Sequence, residues 1–286
     1  MIGSLGAMIT NSSDALVLNR FATPIDVDSF QLASVPDNQI KSTLAKMAVP
    51  LAPHMVALYT SGGPVALQGL FIRGNRYILW GTLLMATPLI VFRHQFWSIY
   101  LGPKLEVYPA VPMVMLLLSA RYWTDLPICL IGHVSYAMNR MRTLALLTVA
   151  SAVSNLAITI YFVHSLHMGA VGSALGTLIA AAFWSVCVMW AFSLKLLGME
   201  FGPWFKAVVW RGVLPSVVAG LFAWAWRYWI EPSSIVAFLL ATVLVASVYL
   251  LSILLFCLDD QERRELKQLS AKLSSQGLLR LLAPSQ

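Results

Sequence analysis

Charge is scarce in this sequence. Asp, Glu, Lys and Arg make up 11% of its 286 residues, where soluble domains carry about 25%. Hydrophobic residues are 59% and the mean hydropathy is +0.76, more apolar surface than a soluble core of this length can hide. Lipid is the solvent that fits. Cysteine is scarce too. Cys129, Cys187 and Cys257 are scattered through apolar runs, which excludes a disulfide framework and a zinc set and leaves them as small buried hydrophobes. No P-loop, no Ser-His-Asp set and no paired-carboxylate motif is present, so no enzyme and no cofactor is expected. His164 and His167 share a short turn without a cysteine or carboxylate nearby, which does not make a metal site, and His54, His94 and His133 stand alone. No basic segment precedes the first apolar run, so no cleavable leader is read there. The net charge of +7 lies in short gaps between apolar runs. That is a topological signal and not a nucleic-acid stripe.

What the sequence has instead is spans. A helix needs about 20 mostly apolar residues to cross the hydrocarbon core. About eight segments qualify: 2–22, 36–60, 77–99, 108–132, 143–163, 169–194, 207–230 and 234–257, the second being the most polar. The expectation is an all-α integral membrane bundle over 1–258. The last stretch, 259–286, reads as an amphipathic surface tail with Leu266, Leu269 and Leu273 on one face. Gly, Pro and charge mark the connections, as in Ser61-Gly-Gly-Pro64, Leu101-Gly-Pro-Lys104, Asn139-Arg-Met-Arg142 and Gly198 to Pro203.

Lys and Arg alternate between two sides. Arg73, Arg76, Arg140, Arg142, Lys195, Lys206, Arg211 and five tail residues fall on one side; Arg20, Arg93, Lys104 and Arg227 fall on the other. This twelve-to-four split requires an even number of spans and puts both termini in the cytoplasm. Trp97, Tyr100, Tyr108, Trp204, Trp210, Tyr228 and Trp229 read as an interfacial aromatic belt.

Ionisable groups inside spans are costly and mark candidate sites. Asp14 and Asn11 are one turn apart in the first span, either a cavity wall with a coupling-ion or proton role or a helix–helix hydrogen bond. Lys41 and Lys46 flank the start of the second, placed to meet an anionic head group or to snorkel to the interface, with Lys46 leaning to the cavity. Arg121 and Asp125, four residues apart in the fourth, share a face and can pair. Prolines 50, 53, 88, 112, 127 and 215 break or kink spans. Gly172-Ser-Ala-Leu-Gly176, extended by Ala180, allows close helix approach.

Several segments carry a resemblance. Gly3 to Phe21, with Asp14 ahead of a short apolar run, is similar to the seventh helix of the bacterial polysaccharide flippases of the Wzx type, which belong to the superfamily that includes the MATE exporters. Val27-Asp-Ser-Phe-Gln-Leu-Ala33 and Met47-Ala-Val-Pro50 resemble that family's eighth helix. Ile99-Tyr-Leu-Gly-Pro103 resembles the turn after its ninth. The late signature is matched by Val153-Ser-Asn-Leu-Ala-Ile-Thr-Ile-Tyr161 followed by Gly169-Ala-Val-Gly-Ser-Ala-Leu-Gly-Thr-Leu-Ile-Ala180. The likeness covers residues 1 to about 215.

The resemblance implies the C-terminal lobe of a MATE-like two-lobe transporter in the bacterial inner membrane. It would move a lipid-linked oligosaccharide by alternating access, with Lys41, Lys46 and Arg121 meeting the pyrophosphate or an anionic sugar. The family has twelve or fourteen helices in two lobes, so the expected partners are the lipid-linked glycan, membrane lipids, and a missing N-terminal lobe, a second copy, or polymerase and glycosyltransferase proteins of polysaccharide assembly. A truncated product is a further expectation. Two alternatives stand beside this one: a MATE-like small-molecule antiporter, which would favour carboxylates in the cavity where this buried set leans basic, and a non-transporting scaffold of a polysaccharide assembly complex.

Overall fold

The computed structural model describes residues 14–229, 234–259, 261–265 and 268. Among them there is no strand. The elements are α1 (14–21), α2 (Pro24–Ala48), α3 (Leu51–Val91), α4 (Arg93–Leu101), α5 (Val111–Ala137), α6 (Met141–Ser165), α7 (Gly169–Leu197), α8 (Phe201–Arg227) and α9 (Ile235–Cys257). Six of these, α3 and α5 to α9, are long and apolar enough to cross a membrane. The chain is therefore an all-α, membrane-embedded protein. The outward faces agree: α9 exposes Val236, Leu239, Leu240, Val243 and Leu251, a surface that suits lipid and not water.

The count of eight is reduced at the first two spans. Residues 1–13 of the first lie outside the described residues. The second, expected at 36–60, is differently placed: α2 begins at Pro24, and a new helix starts at Leu51. α2 carries Asp26, Asp28, Asp37, Lys41 and Lys46, too many charges for a lipid-facing helix. It packs instead between α3, α5 and α7.

Local chemistry fixes the ends. Thr23 and Asp26 form a reciprocal cap at the head of α2, the Asp26 amide donating to Thr23 Oγ1 at 3.3 Å and the Thr23 amide to Asp26 Oδ2 at 3.2 Å, with Pro24 at the first helical position. The Ala170 amide donates to Asp26 Oδ1 at 3.1 Å, which pins the start of α7 to the start of α2. Burial opposes ionisation of Asp26, but the bonds from Thr23 and Ala170 outweigh it and hold the carboxyl below its ordinary value. Inside α3 the Ser61-Gly-Gly-Pro64 signal becomes a reversal at Gly63, whose φ of 66° and ψ of −159° are glycine's territory. Leu51 then lies beside Gly74 and Met47 beside Gly81, so the segments before and after Gly63 run as a hairpin. Gly198, at φ 64°, closes α7 in the left-handed conformation, and Ser234 Oγ caps α9 by accepting from the Ala237 amide at 3.2 Å.

α6 and α7 touch closely, as the small-residue patch predicts. A Cβ on Gly176 would meet the Thr159 backbone at 3.1 Å, and one on Gly172 the Phe162 carbonyl at 3.2 Å.

α5 is a broken helix. It yields to a tighter turn at Leu126–Ile128 around Pro127 and restarts at Ile131. A break inside a membrane leaves backbone groups without partners. Two side chains supply them: Asn75 Oδ1 accepts from the Leu130 amide at 3.0 Å, and Trp190 Nε1 donates to the Thr124 carbonyl at 2.9 Å.

Three apolar cores hold the bundle. One joins Met55, Phe71, Val134, Leu197 and Trp204 at the end carrying Arg73 and Lys195; a second joins Leu18, Trp97, Met115 and Ala174 towards the other end; the third packs α9 through Val245 and Tyr249 onto Leu79 and Leu83 of α3. Trp97 and Trp204 are thus core residues, each 1% exposed, and not members of the interfacial belt. Tyr100 and Trp210 are exposed as a belt requires. The side chains of Tyr228 and Trp229 lie outside the described residues.

The start of the tail closes the charged end. Arg76, fully buried, pairs with Asp259 at 3.0 Å and with Glu262, and its guanidinium lies 5.3 Å over the Trp80 ring. Arg211 also pairs with Asp259, and Arg73 with Glu265 at 3.7 Å. Tyr77 donates to Glu262 at 2.6 Å. Leu266, Leu269 and Leu273, the expected apolar face of the tail, lie outside the described residues.

Candidate functional site

α1, α2, α5 and α7 border a half-open cavity of about 950 Å³, with Asp14, Asp28, Asp37, Lys41, Arg121 and Thr177 on its wall. A smaller chamber of about 220 Å³ adjoins it, lined by Asp125, Asn155 and Ser185 among others; Arg121 and Thr177 border both spaces. The position of Arg121 follows from the broken helix, because it occupies the residue between the first helical piece of α5 and the distorted stretch that follows.

The main ion cluster centres on Asp37, which is 2% exposed. Its Oδ2 is 2.5 Å from Lys41 Nζ and 3.1 Å from the Arg121 guanidinium. Its Oδ1 accepts from Tyr122 Oη at 2.5 Å. One carboxylate therefore gathers two cations and a phenol, leaving a surplus of one positive charge.

A second cluster centres on Asp14, which is 6% exposed. Thr177 Oγ1 donates to its Oδ2 at 3.0 Å and Thr159 Oγ1 to its Oδ1 at 3.3 Å. Among the described residues its hydrogen-bond partners are neutral hydroxyls, and the close α6–α7 approach at Gly176 brings both threonines to it.

Four of the six residues expected from the sequence meet in these two spaces: Asp14, Lys41, Arg121 and Asp125. Asn11 lies outside the described residues. Two expectations are corrected. Lys46 is exposed and lines neither space; it sits at the last turn of α2, beyond the polar stretch that faces the cavity. Arg121 pairs with Asp37 across the cavity and not with Asp125. Asp125 lies one turn further along, between α5 and α7, where Ser185 Oγ donates to it at 2.5 Å. Its own hydroxyl partner frees the longer Arg121 side chain to reach α2.

Asp28, Asp37, Tyr122 and Asn155 were not singled out by sequence. Asp37 had a readable signal, since it precedes Lys41 by four residues and the i, i+4 rule marks such pairs. Asn155 stood only within the late-signature stretch 153–161; both its side-chain polar atoms are buried with no partner among the described residues, a property of the packing. With Asp14, Asp28 and Asp37 against Lys41 and Arg121, the cavity does not show the basic lean expected of it. Among the described residues no group of three His, Cys, Asp or Glu side chains is placed to hold a metal.

Known families, curated proteins and solved structures were all compared with this chain. None of them matches.

Proposed function

We propose that this chain is a transport lobe of the bacterial inner membrane, with both termini cytoplasmic, that moves a lipid-linked oligosaccharide by alternating access. The observation that carries the reading is the cavity. A space of about 950 Å³ with five Asp, Lys and Arg side chains on its wall, inside a bundle of lipid-facing helices, is costly to maintain without a polar passenger. The Lys41–Arg121 pair, with its surplus positive charge, suits a phosphate-bearing group. The Asp14 carboxylate, bonded among the described residues by hydroxyls, suits a coupling proton or cation. The broken α5 and the polar α2 beside it are the arrangement by which transporters build mid-membrane sites. Alternating access requires a second lobe to move against, and we assign that role to another polypeptide segment or to a second copy.

The three carboxylates also support a second reading, antiport of a small organic cation. The test is expression in a host lacking its flippase but making lipid-linked polysaccharide, alone and with a companion lobe. Restored surface polysaccharide that Arg121→Ala abolishes supports the first reading. Protein present in the membrane without restoration, together with resistance to cationic dyes that Asp14→Asn abolishes, supports the second and sinks the first.

A further inference from the structure

The geometry points to Asp37 as a built-in stand-in for the passenger: its carboxylate occupies the anion site formed by Lys41, Arg121 and Tyr122, and an entering phosphate-type anion displaces it. This inference rests on the proposed reading of the cavity as an anion-carrying site.

Three donors from two helices converge on one carboxylate. Lys41 at 2.5 Å and Arg121 at 3.1 Å share Oδ2, and Tyr122 Oη at 2.5 Å takes Oδ1. A fork of guanidinium, ammonium and hydroxyl is the donor set that binds phosphate oxygens. The set over-matches a carboxylate, for in direct contact two cations share one carboxylate oxygen. A pyrophosphate group, carrying more charge and more acceptor oxygens, satisfies it more fully.

Asp37 also has somewhere to go. It lies on the wall of the main cavity, so a displaced carboxylate enters a water-accessible space and is not stranded in apolar packing, which would be prohibitive. Pro36 precedes it inside α2. Proline deletes one backbone hydrogen bond and loosens the helix beside Asp37, which eases a swing of its side chain into the cavity while Lys41 stays beside Arg121. The other carboxylates near Arg121 differ. Asp14 and Asp125 accept hydrogen bonds from neutral hydroxyls, and among the described residues neither holds a lysine or arginine in an ion pair.

Such a device keeps the cations from trapping stray anions while the cavity is empty. A tethered carboxylate competes with the ligand by leaving only a fraction of molecules with an open site, and the apparent Kd is raised by the inverse of that fraction.

The experiment is a calorimetric titration of the full chain with inorganic pyrophosphate in phosphatidylcholine nanodiscs. Wild type is compared with Asp37→Ala, Asp37→Asn, Arg121→Ala and the Asp37→Ala/Arg121→Ala double variant. We expect Asp37→Ala to tighten binding about tenfold, Asp37→Asn to tighten it less, and the double variant to lose the gain. Weaker pyrophosphate binding in discs containing phosphatidylglycerol would still support displacement, with a lipid phosphate as the competitor. Equal binding by wild type and Asp37→Ala, abolished by Arg121→Ala, would overturn the stand-in while leaving the anion-carrying site intact. No binding by any folded variant would sink that reading of the cavity, and the inference with it. Loss of folding in both Asp37 variants would make Asp37 structural and overturn the inference.

Discussion

Two ion clusters sit inside this bundle, and they are built differently. At the charged end, Arg76 is fully buried and its partners Asp259 and Glu262 come from the start of the tail. With Arg73, Arg211 and Glu265 the set balances, three positive and three negative. At the cavity, Arg121 is 13% and Lys41 37% exposed, and they share one buried carboxylate. The first cluster has a dry centre, Arg76 and Glu262, inside a half-exposed rim, and its charges balance, as suits a joint between elements. The second is wet on one side and unbalanced, which suits a site that exchanges partners.

Mutations sharpen that contrast. The largest effect is expected from Arg76→Ala, which leaves Glu262 buried without its cation and should cost about 3–5 kcal/mol in a detergent unfolding curve. Arg121→Ala should cost less, about 1.5–3 kcal/mol, because Asp37 keeps Lys41 and Tyr122, yet should abolish complementation. If the two arginines prove equally destabilising, the distinction between joint and site is wrong. Gly176→Ala should cost about 1–3 kcal/mol by pressing a methyl on the Thr159 backbone, and should also loosen the hydroxyls on Asp14. Asp26 gives a small, pH-dependent effect. Its carboxyl is held below the ordinary value of about 4, so its contribution is present above that value and is lost as pH falls below it. The difference in unfolding midpoint between wild type and Asp26→Ala should therefore shrink as the pH is lowered from 7 to 3. Lys46→Ala, exposed and outside both spaces, should change neither unfolding nor pyrophosphate binding beyond about 0.5 kcal/mol; a larger effect would return it to the site.

The later spans were legible because each is a long apolar run bounded by charge or glycine. The segments expected at 143–163, 169–194 and 234–257 match α6, α7 and α9 to within a few residues. α2 was not legible in the same way, since apolar content cannot announce a helix that turns its charges to a cavity. Asp14 stood out because it interrupts an apolar run, and Arg121 for the same reason. The partner of Arg121 was misjudged because spacing along one helix reports only neighbours on that helix. Asp37 lies 84 positions away in sequence, and only the packing of α2 on α5 brings it near. Trp97 and Trp204 show the opposite error: position near a span end suggested an anchor, but whether an indole turns inward depends on tertiary packing.

The charges of α2 also bear on how the protein is made. Each Asp or Lys near the centre of a helix raises the free energy of entry through the translocon by about 2.5–3.5 kcal/mol. With Asp37 and Lys41 near its centre and three more charges towards its ends, α2 cannot leave the insertion channel for lipid by itself. It has to remain there until the hairpin that turns at Gly63 inside α3 emerges, and Asp37 and Lys41 find cover only when α5 and α7 follow. A glycosylation reporter placed after α2 in nascent chains of increasing length would show this as delayed entry. Prompt entry of α2 before α3 is synthesised would mean that the helix is covered by something other than its own later neighbours.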